Sequence, residues 1–80
     1  MLLLNIIGVA IMEKNRLMTL NEVLLETRMG KTKLYRLVKE GRFPPQRRSG
    51  DGSALWIRAE VDYWIDCLIS GIGYEYRKAA

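Results

Sequence analysis

Eighty residues are enough for one domain and no more, and a chain this short buries only about 60% of the surface its unfolded form exposes. Cys67 is the single cysteine and there is no histidine, which excludes an intramolecular disulfide, an ordinary zinc site and a cysteine nucleophile with a histidine base. The net charge of +4 is unevenly spread: between Arg28 and Arg58 nine basic residues face only Glu40 and Asp51, a local balance of +7, whereas residues 59–70 hold Glu60, Asp62 and Asp66 and no base. Such a concentration is the electrostatic footprint of a nucleic-acid binder, the alternative being a solvated surface that is merely basic.

Residues 1–12 (MLLLNIIGVAIM) form an apolar run too short to span a bilayer, which takes roughly 20 apolar residues, and without the basic n-region and cleavage pattern of a secretory signal. Three readings stand: an extension upstream of a later start at Met12 or Met18, an extra strand or helix on the domain, or a patch that a second subunit covers. The organisation expected is an apolar extension over residues 1–15, a domain over 16–70 and a flexible tail over 71–80.

The first patterned element follows Glu13 to Arg16. Thr19 with Glu22 three residues later is a capping-box signature, and Leu20, Val23 and Leu24 fall on one helical face. A helix is expected over residues 20–27, broken by Arg28-Met29-Gly30, where Gly30 permits a tight turn. A second helix is expected over residues 31–40, with Gly41 past its end. Leu34, Leu37 and Val38 share one stripe, while at about 100° per residue Thr32, Arg36 and Lys39 point the other way, flanked by Lys33 and Tyr35. Two short helices joined by a three-residue break, the second basic on its outer side, are the pattern of a helix-turn-helix.

Phe43-Pro44-Pro45 forbids helix. Gln46-Arg47-Arg48 and Ala54 to Ile57 then read as two strands around the turn formers Ser49 to Ser53, a hairpin placed as a wing. The last helix is expected over residues 59–70. It carries Val61, Trp64, Ile65 and Leu68 on its buried face, Glu60 and Asp62 in its first turn, and Gly71 and Gly73 at its end. Cys67 reads as a small buried hydrophobe, and Phe43, Trp56 and Trp64 as core. The fold class is therefore mainly α with a small β-hairpin, a winged helix-turn-helix.

No arrangement of residues supports catalysis. Gly30-Lys31-Thr32 resembles the end of a phosphate-binding loop, but its first glycine would fall at Leu25 and helix precedes it. Paired carboxylates, a Ser-His-Asp set and a Cys-His set are missing, so neither enzyme activity nor a cofactor or metal is expected. What the pattern suits is double-stranded DNA, whose major groove admits a helix. Arg36 is the first candidate for a base contact, since a guanidinium can donate twice to guanine; a phosphate contact or plain solvation is the alternative. Thr32 can touch a thymine methyl or a phosphate, and Lys31, Lys33 and Lys39 suit phosphates. Tyr35 either lays its ring on the sugar-phosphate backbone or sits partly in the core. Arg47 and Arg48 alternate faces in an extended segment, so at least one is expected to reach DNA. Arg58, at the start of the last helix, can serve either face.

Glu22-Val23 through Met29, Lys31, Leu34-Tyr35-Arg36, Gly41-x-Phe43-Pro44, Trp56 and Glu60-Val61-Asp62-x-Trp64-Ile65 together resemble the AlpA family of prophage regulatory proteins over about residues 16–69. The resemblance implies a MerR-like winged helix-turn-helix of the type shared with phage excisionases, with the second helix as recognition helix. It also implies transcriptional regulation of prophage genes and, in some relatives, directing an integrase toward excision. Two positions depart from the pattern: Gly30 stands where relatives usually have serine, and Gly52 about where an arginine often marks the wing tip. The wing's expected contribution moves accordingly onto Arg47 and Arg48.

The function expected is a sequence-specific DNA-binding regulator in the bacterial cytoplasm, associated with the nucleoid and not with membrane. Tight specificity is expected to need a homodimer or several copies along the DNA. The alternatives are an architectural excision factor acting beside an integrase, and a protein-interaction adaptor whose basic face meets an acidic partner.

Overall fold

The computed structural model describes residues 16–74. The expected apolar extension and most of the expected tail lie outside them. Six elements follow in chain order: β1 (Leu17–Thr19), α1 (Leu20–Thr27), α2 (Lys31–Lys39), β2 (Arg47–Arg48), β3 (Ala54–Ile57) and α3 (Arg58–Ser70). The helices match the sequence expectation to within one residue at each end, and the hairpin forms where the turn formers place it.

The added element is β1. It pairs antiparallel with β3, Met18 opposite Trp56, while β2 pairs antiparallel with the other edge of β3, so the strand order is β1-β3-β2. The wing is thus the outer half of a three-stranded sheet, and the backbone bond from Arg58 N to Arg16 O at 2.8 Å extends the β1 ladder to the start of α3. Period-two alternation makes Met18 the one inward residue of β1. Thr19 ends the strand and also caps α1: its hydroxyl accepts from Glu22 N while its own N–H donates to Glu22 Oε1 at 2.8 Å. The capping box is therefore present as the spacing requires. It holds the Glu22 carboxyl below its ordinary pKa, chiefly through the backbone bond from Thr19.

The core gathers Met18, Val23, Leu34, Leu37, Phe43, Trp56, Val61 and Trp64. Its two indoles have a second task. Trp56 Nε1 donates to Pro44 O at 2.9 Å and Trp64 Nε1 to Arg42 O at 2.8 Å. Chain that contains two prolines cannot form a full ladder of its own, and the tryptophans supply donors to two of its carbonyls. Phe43 packs edge-on to Trp64 at 4.9 Å between ring centres. The linker from α2 to the wing is in this way fastened to the core at both ends.

Three local expectations change. The residue in left-handed geometry between α1 and α2 is Arg28, at φ 62°, whose N–H closes α1 onto Leu24 O. Gly30 is extended, at φ −83°, and serves as the N-cap of α2 without a side chain to cap with. On α3 the buried set is Val61, Trp64 and Cys67, with Ile65 half-buried, whereas Leu68 is 62% exposed. The helix outruns the core in its last turn, so helical spacing places Leu68 on the inner side where no element remains to cover it. Gly71 ends α3 at φ 74°, as expected of a glycine past a helix end. Tyr74, within the expected tail, packs its ring 5.8 Å from that of Tyr63.

Candidate nucleic-acid interface

Leu34 and Leu37 turn α2 inward and are buried, and Val38 is half-buried beside them. Everything on the opposite side is consequently directed to solvent. Lys31, Thr32, Lys33, Arg36 and Lys39 are all exposed. Among the described residues, none of these four cations takes part in an ion pair. Arg36 and Lys39 lie in the last turn, where positive charge also complements the helix dipole. Tyr35 takes an intermediate place: half-buried, with its ring 6.2 Å from that of Trp56 and packed against the core, it leaves an edge toward solvent. Lys33 leans to the Leu37 side of the helix, away from the line of Thr32, Arg36 and Lys39. Gly41, at φ 74°, ends α2 and turns the chain so that Arg42 N returns to Leu37 O at 2.8 Å.

The wing is built differently. Arg47 stands opposite Leu55 and Arg48 opposite Ala54, and the two arginines do alternate, but each is engaged within the chain. Arg47 donates to Pro45 O at 2.9 Å and to Glu60 Oε2 at 3.1 Å. It therefore braces the wing on the first turn of α3 with its side chain 42% exposed. Arg48 is exposed and reaches along the hairpin to Gly52 O at 3.0 Å. The turn between them closes through Ser49 N to Ser53 O at 3.0 Å and Gly52 N to Ser49 O at 2.9 Å, with Gly52 at φ 89°. The Asp51 carboxylate accepts from Ser49 Oγ and from Ser53 N. These hydrogen bonds, the Ser49 hydroxyl first, pull its pKa from 3.8 down to about 2.

Arg58 holds two helices together. Its guanidinium meets Glu26 of α1 at 2.9 Å and Asp62 of α3 at 4.0 Å, and the bond to Glu26 raises its pKa. Its role is thus to tie α1 to α3. Sequence reasoning missed the partners Glu60 and Glu26, which lie 13 and 32 residues from the arginines they hold, beyond the reach of any local pattern. Among the described residues no group of three or more His, Cys, Asp or Glu is placed to hold a metal ion, and no helix is long and apolar enough to cross a membrane.

A first helix, a short turn and a basic second helix, followed by a hairpin, are the arrangement of a winged helix-turn-helix. The sequence profile of the family described as "Prophage CP4-57 regulatory protein (AlpA)" matches residues 16–69, which is nearly all of the fold described above. The chain belongs to the AlpA family. It is also similar to "Uncharacterized protein ORF88" of Enterobacteria phage P4, at 29% identity over 58 residues, which take in 72% of this chain and 66%, just under two thirds, of that relative. No solved structure matches the chain significantly. AlpA membership accords with the mainly α fold carrying a small sheet.

Proposed function

We propose that this AlpA-family protein regulates transcription by laying α2 in the major groove of duplex DNA, with the wing along the adjacent backbone. The observation that carries the reading is the open outer side of α2, where Thr32, Arg36 and Lys39 face solvent while Leu34 and Leu37 hold the helix from behind. A major groove about 12 Å wide accepts a helix presented in this way. Arg36 reads a base edge, Thr32 touches a thymine methyl or a phosphate, and Lys31, Lys33 and Lys39 contact phosphates. Tyr35 places its free edge against the sugar-phosphate chain. In the wing Arg48 is the outer contact, because its hydrogen bond to Gly52 O is exposed and exchangeable; Arg47 reaches phosphate only in so far as Glu60 leaves its guanidinium open.

Titration of random and phage-derived duplexes in a gel-shift assay at two salt concentrations tests this. The expected result is retardation at low salt that falls steeply as salt rises, with a surplus of affinity for one phage-derived duplex. A chain that retards neither duplex at low salt is not a DNA-binding regulator, and its basic face would instead serve an acidic protein partner. An excision role beside an integrase would show as strong bending of an attachment-site duplex without any effect on a reporter promoter.

A further inference from the structure

A groove of about 350 Å³ runs between the turn joining α1 to α2, the Leu37 side of α2 and the C-terminal half of α3. Met29, Leu37, Trp64 and Leu68 give it apolar walls, and the exposed Arg28, Lys33 and Arg42 stand along it. Among the described residues that line it there is no carboxylate. Nearby apolar surface is open, with Leu68 62% and Ile72 65% exposed. Positive charge around an apolar floor selects an occupant that brings carboxylates together with an apolar side chain.

The same chain carries such a surface. At about 100° per residue, Asp62 and Asp66 each point about 160° away from Trp64, that is, to the far side of α3. Asp62, Asp66 and Ile69 are all exposed, Ile69 at 78%. Asp66 takes part in no ion pair among the described residues, and Asp62 meets Arg58 only at 4.0 Å. This outer face therefore offers two carboxylates beside one large apolar side chain.

We propose that the two surfaces meet between copies of the chain, the Asp62–Asp66–Ile69 face of one α3 seating on the groove flanked by Arg28 and Arg42 of the next. Because the patches occupy opposite sides of one helix, a chain cannot satisfy its own groove. The contact is heterologous and runs head to tail, not as a closed two-fold pair. A groove of this size admits one or two side chains, well short of the roughly 1,200–2,000 Å² that a stable interface buries, so the association belongs to the weak, transient class. It gains strength where several copies lie side by side on one duplex, yet it requires no DNA to be observed.

Sedimentation of the full chain over a concentration series, at low and at high salt, tests the proposal without reference to DNA. Wild-type chain is expected to associate as concentration rises and to dissociate at high salt. Asp62→Lys with Asp66→Lys, and separately Arg28→Glu with Arg42→Glu, should each give a chain that stays monomeric with an unchanged circular dichroism spectrum. An equimolar mixture of the two should associate again, since the reversed face of one fits the reversed groove of the other. Wild-type chain that is monomeric at every concentration, association that survives both reversals, or a mixture that fails to associate would each overturn the proposal.

Discussion

The outer side of α2 and the wing both carry arginine toward solvent, but they hold it by different means. On α2 the platform is supplied from behind. Leu34 and Leu37 lock the helix into the core, so Arg36 and Lys39 have no structural duty and stay available. The wing has a strand of only two residues and little apolar surface to bury. Its arginines add to the backbone bonds of the hairpin, Arg47 through Glu60 and Pro45 O, Arg48 through Gly52 O. A cation on a buried rod can be spent wholly on a ligand, whereas a cation on a short hairpin is divided between ligand and fold.

The largest way to break the contrast is to remove what both regions lean on. Trp56→Ala deletes a fully buried indole and its bond to Pro44 O, and is expected to cost about 3–5 kcal/mol, read by urea denaturation. In a domain of this size that loss unfolds much of the population at 37 °C. Next comes the ligand face. Arg36→Ala is expected to weaken binding to the preferred duplex by about 1–3 kcal/mol and to relax sequence preference, while Lys39→Ala weakens all duplexes alike and lowers the salt slope by about 1. Equal losses on preferred and random duplexes for Arg36→Ala would reassign it to phosphate.

The wing brace is a smaller effect with a sharper signature. Arg47→Glu should destabilise the fold and weaken DNA binding, and Arg47→Glu combined with Glu60→Arg should restore stability in thermal melts. The expected size is about 0.2–1 kcal/mol, since the pair is partly exposed and screened. No recovery in the double variant would mean that the pairing with Glu60 does not brace the wing. Smaller again is Gly30→Ser. The glycine is extended and a Cβ there meets nothing within 4 Å, so serine can supply the missing cap of α2 for a gain of a few tenths of a kcal/mol, visible as a slightly raised Tm.

The least is the turn of the wing. The Asp51 carboxyl titrates lower in the folded chain than in the unfolded one, so whatever it contributes is complete above its ordinary 3.8 and is lost as pH falls toward about 2. Asp51→Asn should therefore flatten the acid limb of the wing's unfolding, followed by amide exchange at Ser53, and leave protection at neutral pH slightly below that of the wild-type chain.

Much of this was legible in one dimension because the signals are local. A capping box spans four residues, a helical stripe eight or so, and glycine or paired proline acts on its immediate neighbours. Thr19 with Glu22, the Leu34–Leu37–Val38 stripe, Gly41, Gly71 and the turn formers of the wing accordingly placed all three helices and the hairpin. They also placed Thr32, Arg36 and Lys39 on the outside of α2, since a helix with one apolar stripe has only one way to face water. Residue order thus fixed the three described helices, the hairpin, most of the core and the candidate recognition face.

Tertiary structure alone decided the rest. Leu17–Thr19 is too short to announce a strand, and becomes one because β3, some forty residues away, offers its free edge at Met18 and Trp56. Arg47 and Arg58 acquired structural roles from Glu60 and Glu26, which folding brings within about 3 Å. Leu68 kept its place in the stripe and lost its cover because the core ends one turn before α3 does. Each of these outcomes depends on which surfaces the closed fold sets side by side, a quantity that residue spacing along the chain does not carry.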